Sequence, residues 1–238
     1  MNLRLKRLSR TIGRIVEYPS ILSARTKGIS SNHCFTCLTA KDIAGNFNTI
    51  IDVGANEGLF IKAAKHVFPG SKIYAFEPQV RFYDKIKNFK SVTAFNFGLW
   101  DKKGESIFYF NSQNTGASSF LKPMESYNKY IGAKNVISEV KLTRKRFDEL
   151  NLPIQRPCFV KIDVEGAEEK VLKGFGKRLC EVDVLQIEWF FKDFHEEQMK
   201  LGKLLPLLER YGFKGFIQRE LGYIEGHPSA CDLIFFKY

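Results

Sequence analysis

No stretch of this 238-residue chain holds the roughly 18 consecutive apolar residues of a membrane-crossing helix. Its first residues also lack the apolar core of a secretion signal, so a cytoplasmic protein is expected. Cysteine is sparse: Cys34, Cys37, Cys158, Cys180 and Cys231 are an odd, scattered set, which argues against a disulfide framework. His33-Cys34-x-x-Cys37 has no second pair at zinc-ligand spacing, and no metal site is expected. No internal repeat and no low-complexity linker interrupts the chain.

The sequence is rich in apolar residues, at 44%, with 22 phenylalanines, enough for a substantial core. The length suits one large domain, read as residues 46–238, preceded by an extension over 1–45. The net charge of +11 is concentrated at the start: residues 1–27 carry seven bases against the single acid Glu17. On a helical wheel Leu5, Leu8, Ile12, Ile15 and Val16 share one face, and Lys6, Arg7, Arg10 and Arg14 the other. Such a helix packs on the domain or lies on an anionic membrane surface or a partner.

After residue 48 the hydrophobic periodicity alternates between strand and helix. Strands are expected at Thr49–Val53, Lys72–Glu77, Val92–Phe97, Cys158–Ile162, Val182–Ile187, Phe213–Ile217 and Asp232–Lys237. Helices are expected at Leu59–Phe68, from Pro78, at Ala167–Leu172 and at Met199–Tyr211. Between 104 and 146 the pattern changes to Ser106–Phe110, a polar loop Asn111–Ser119 and Val140–Thr143, read as strands or an insertion flanking a site. The loop and Lys122-Pro123 are a candidate lid. The alternation predicts an α/β fold with a mostly parallel sheet covered on both faces, whose ligands sit beyond the carboxyl ends of the strands.

Four of the predicted strands end in an acid: Asp52, Glu77, Asp163 and Glu188. Carboxylates are costly to bury unpaired, so their recurrence at one rim points to a site, although ion pairs with residues such as Lys161 account for some of them equally well. The first of these ends leads into Gly54-Ala55-Asn56-Glu57-Gly58, which lacks the third glycine of the dinucleotide fingerprint and places an acid where a pyrophosphate would rest. S-adenosylmethionine carries a sulfonium, an ammonium and a carboxylate but no phosphate, and suits this turn better. Glu77 is placed to hold a ribose diol. Methyl transfer is the leading expectation.

With Ile51-Asp-Val-Gly-Ala-Asn-Glu-Gly58 and Phe159-Val-Lys-Ile-Asp163-Val-Glu-Gly-Ala-Glu168, the chain from about 46 to 236 resembles the FkbM family of S-adenosylmethionine-dependent methyltransferases. The resemblance implies a class I methyltransferase, Rossmann-like and doubly wound, with a seven-stranded sheet whose last strand is antiparallel, and O-methylation of a sugar, glycan or related small metabolite. It implies that Asp52, Gly54, Ala55, Asn56 and Gly58 surround the methionine part of the cofactor, that Glu77 and Pro78 hold the ribose, and that Gly98 and Leu99 lie by the adenine. The expected catalytic residues are Asp163, Glu165, Glu188 and His195, the last chosen because its ordinary pKa suits a general base.

Two rivals accompany this reading. A nucleic-acid methyltransferase would use the basic charge, but the acids between Asp163 and Glu168 would repel a phosphate backbone, and a small-molecule or glycan acceptor is expected instead. A non-catalytic binding module would keep the fold and dock through the N-terminal helix.

Overall fold

The computed structural model describes residues 12–130, 137–224 and 227–238. Leu5, Lys6, Arg7, Leu8 and Arg10 of the basic amphipathic segment lie outside the described residues, while residues 12–17 are helical. Two further helices follow, α1 (Ser20–Thr26) and α2 (Ser31–Ala44). Strand β1 (Thr49–Val53), α3 (Leu59–Val67), β2 (Lys72–Phe76), α4 (Val80–Ile86) and β3 (Val92–Phe95) then alternate as the periodicity predicts.

The insertion is a small sheet of its own. β4 (Gly98–Leu99) and β5 (Gly104–Asn111) flank β6 (Ile137–Lys145), and helix α5 (Glu125–Tyr130) precedes β6. The main alternation resumes with β7 (Cys158–Ile162), α6 (Glu168–Phe175), β8 (Val184–Phe190) and α7 (Leu201–Glu209), and closes with β9 (Gly215–Ile224) and β10 (His227–Phe236). The seven-stranded sheet has the order β3-β2-β1-β7-β8-β10-β9. β10 runs antiparallel to both of its neighbours, as the expected antiparallel last strand requires.

The central strands are buried on both faces, which is why they read as unbroken apolar runs. The period of two sends Ile51, Val53, Val160 and Ile162 into one core and Ile50 and Phe159 into the other. The second core also takes Ile21, Ala24, Cys34, Phe35, Cys37 and Ala40, so the helices before residue 45 share their packing with the sheet. Cys34 and Cys37 are buried in that core as free thiols.

Residues 12–17 lie against β9 in a manner the helical wheel did not foresee. Arg14, placed there on the solvated face, is buried, is ion-paired with Glu220 and also donates to Asn32, while Glu17 pairs with Arg219 at 3.0 Å. Ile12 and Val16, placed on the packing face, are exposed, and of this segment Ile15 meets the core. Tertiary ion pairs decide the rotation of this turn of helix. No helix among the described residues is long and apolar enough to cross a membrane.

Candidate active site

Strand register explains the rim. Val53 lies opposite Phe76 and Ile162, and Ile162 opposite Ile187, so Glu77, Asp163 and Glu188 all come one residue beyond the same row. Asp52 comes one residue before it, facing Lys161 across β1 and β7. Glu77, Asp163 and Glu188 line one cleft of about 780 Å³, whereas Asp52 is fully buried beneath the rim and does not line it. Asp52 acts through Lys161, whose Nζ lies 3.5 Å from Asp52 Oδ1 and 3.1 Å from Asp163 Oδ2.

At one end of the cleft stand Glu77, Pro78, Gly98 and Leu99, with Phe108 and Phe120 from the small sheet region. The Glu77 carboxylate is fixed by the turn it serves: its two oxygens accept the backbone N–H groups of Asn56 at 2.8 Å and Gln79 at 2.9 Å. Burial pushes it up to about 7, and the two backbone N–H groups work against that rise. Asn96 secures the same corner by donating to the carbonyls of Glu77 and Pro78.

The first turn depends on Gly54, where φ is +80° and a Cβ would stand 2.0 Å from the backbone oxygen of Asp163. No side chain fits between the two strand ends. Gly58 serves the turn differently. It precedes α3 in the left-handed region, packs against Ile86 and Phe89, and does not line the cleft. Asn56 does line it, and its buried Oδ1 has no partner among the described residues.

The other end of the cleft gathers Asp163, Glu165 and Glu188, with one oxygen of each within 4.8 Å of the others. Burial opposes the charge on Asp163, but the Lys161 ammonium outweighs it and holds that carboxyl below the usual range. Glu165 and Glu188 are driven well above their ordinary values by burial and then by neighbouring acids, Asp163 for the first and Glu165 for the second. Glu165 sits at φ +56°, a conformation that ordinary residues adopt at a cost, and accepts the hydroxyl of Tyr127 at 2.5 Å. Glu188 Oε2 is buried without a partner among the described residues.

His195 stands apart from this cluster. It is buried behind Gly166, its ring 4.4 Å from that of Tyr127, and it does not line the cleft. Burial lowers its pKa to about 4. From the proposed lid loop, Thr115, Gly116 and Ser118 do reach the cleft wall. Tyr127, Asn96 and the aromatic wall carry no local sequence signal, because their placement depends on long-range packing. Lys161 had a visible signal, a lysine inside an otherwise apolar strand.

A family model described as the methyltransferase FkbM domain matches residues 52–214. The chain belongs to the FkbM methyltransferase family. It is 31% identical over 180 residues to methyltransferase sdnD of Sordaria araneosa, covering 62% of this chain and 66% of that protein. It is 28% identical to methyltransferase 1 of Beauveria bassiana over 52% of this chain and 57% of that one. It is 20% identical to the 2-O-methyltransferase NoeI of Sinorhizobium fredii over 68% and 71%. The matches thus span about two thirds or less of the first two relatives' lengths.

The cofactor of this methyltransferase domain is S-adenosylmethionine. The residues fit it. A buried carboxylate held by two backbone N–H groups suits a ribose diol, a turn without a Cβ lets a ligand approach the backbone, and carboxylates at the far end suit a sulfonium.

Proposed function

We propose that this chain transfers a methyl group from S-adenosylmethionine to a hydroxyl of a sugar, glycan or related small metabolite. The bound cofactor supplies an electrophilic methyl on a cationic sulfur. The observation that carries the reading is the meeting of Asp163, Glu165 and Glu188 at the end of the cleft opposite Glu77. A hydroxyl acceptor must lose a proton as its oxygen gains the methyl, and an acid raised above its ordinary range is a stronger base than a solvated carboxylate. Glu165, set at its angle by Tyr127, takes that proton, and Glu188 beside it shares the hydrogen bonding of the acceptor. Asp163, kept ionised by Lys161, offers the sulfonium an opposite charge.

The relative named as a 2-O-methyltransferase supports oxygen as the atom methylated. The carboxylate-lined acceptor end favours an uncharged polyhydroxyl compound over a phosphate backbone. Glu165→Gln is expected to lower kcat about a hundredfold while S-adenosylhomocysteine binds as before. Methyl incorporation into a panel of sugars and glycosides, measured beside calorimetric titration, tests this. Near-normal turnover in the variant would remove Glu165 from the role of base.

A further inference from the structure

Ile12 and Val16 are 53% and 76% exposed, and Val16 is the most exposed large apolar side chain among the described residues. Both belong to the helical segment 12–17, four residues apart and so on one side of it. Arg14 lies about 200° round the helix from Ile12, and its burial against Glu220, Asn32 and the Phe35 ring fixes the orientation of the segment. The fold therefore turns the apolar side outward. Leu22 of α1 adds another exposed apolar side chain, at 56%. In the sequence the same helical spacing runs back from Ile12 to Leu8 and Leu5, which lie outside the described residues.

Charge and shape decide between partners. Residues 1–27 hold seven bases, and Glu17 is the one acid in the sequence before Asp42. Arg14 is neutralised by Glu220, and Glu17 is held by Arg219. For Arg4, Lys6, Arg7, Arg10, Arg25 and Lys27 their own segment supplies no further acid, and Arg25 and Lys27 are exposed. The cavity beside the segment is lined by Gly13, Arg14 and Glu17, on the other side of the helix from Ile12 and Val16. The apolar side thus stands on a convex surface with no groove to receive a protein anchor, whereas a fluid interface accepts single protruding side chains. An apolar stripe accompanied by bases is the composition of a helix that lies in the plane of a membrane surface. Near anionic lipid each base strengthens binding about fivefold, within a Debye length of about 8 Å.

We propose that the outward side of residues 12–17, with the bases of residues 1–27, docks this chain on a bilayer surface carrying anionic lipid. Ile12 and Val16 enter the headgroup boundary, and the bases meet the lipid phosphates. The ion pairs of Arg14 and Glu17 with β9 hold the domain to the docked segment. The inference uses no residue of the cleft and stands apart from the reading of the methyl donor.

Co-sedimentation of the full chain with vesicles of phosphatidylcholine alone, and with mixed vesicles of phosphatidylcholine and phosphatidylglycerol, tests it. The mixed vesicles are expected to bind the protein about tenfold or more tighter, and the difference to shrink as salt is raised. Ile12→Ser with Val16→Ser keeps every charge and is expected to weaken binding to the mixed vesicles about tenfold or more. Its melting temperature is expected to match the wild type, because neither side chain is packed inside. Lys6→Gln with Arg7→Gln and Arg10→Gln is expected to weaken binding about a hundredfold. Equal affinity for the two kinds of vesicle, wild-type binding by either variant, or no binding by the wild type would overturn the proposal. A lowered melting temperature in the first variant would do so too, by showing that Ile12 and Val16 pack on the domain. Self-association in sedimentation velocity that the first variant abolishes, without vesicle binding, would assign the face to a second copy of the chain instead.

Discussion

Glu168 shows how single residues at the rim combine structure with titration. It is buried, and its Oε1 accepts the N–H groups of Gly166 at 3.1 Å and Val164 at 3.4 Å, tying down the loop that carries Glu165. Burial raises its pKa to about 7 against those bonds. An acid raised in the folded state contributes stability that is complete below its unfolded value, near 4.5, and is lost as pH rises through about 7. Glu168→Gln keeps an acceptor oxygen and removes the titration. The melting temperature of the wild type relative to this variant is therefore expected to fall between pH 4.5 and 7 and then level off. A difference that does not change across that range would refute the shift.

Among elements, the β1 turn and the end of β7 are the parts that cannot be altered independently. Gly54→Ala would force a Cβ into the Asp163 carbonyl, and a backbone atom cannot step aside as a flexible side chain can. A loss of about 2 kcal/mol or more is expected in urea unfolding, together with loss of cofactor binding. Wild-type stability in the variant would contradict the close approach. These elements were legible in the sequence because their burial on both faces produces apolar runs bounded by glycine and acid, and β1 and β7 begin and end where the pattern predicts. The last two strands were less legible. β10 begins at His227, five residues before the expected Asp232, because His227-Pro228-Ser229 reads as loop and is recruited by pairing with β9. Glu77 and Asp163 were legible as strand ends, whereas Glu188, expected to close its strand, lies inside β8, which pairing with β10 carries on to Phe190. The one-residue offset that hides Asp52 from the cleft depends on register between strands more than a hundred residues apart, which no local pattern carries.

For the molecule as a whole, the two ends of the chain are joined. Arg14 and Glu17 reach Glu220 and Arg219 across nearly the full length of the sequence, and Arg14 also lies over the Phe35 ring. Arg14→Ala removes one partner of a largely buried pair and is expected to cost about 1 to 3 kcal/mol in denaturant unfolding. An unchanged midpoint would mean that the segment only rests on the surface. Packing of residues 12–17 on the domain was one of the readings open in the sequence, but their ion pairs with β9 were not legible because the partners lie at the other end of the chain. α1 and α2 pack chiefly on α3 and the central strands. Helix α2 also brings His33 to the same wall as Lys161 and Asp163.

The central claim is that the cleft holds S-adenosylmethionine with Glu77 on its ribose. It is tested most directly by titrating S-adenosylhomocysteine into the wild type and into Glu77→Ala, with folding of the variant checked by its melting curve. The account predicts saturable one-to-one binding in the wild type and a loss of at least about tenfold in the variant, the equivalent of one charge-assisted hydrogen bond. Equal binding by the two proteins, or none by the wild type, would contradict it.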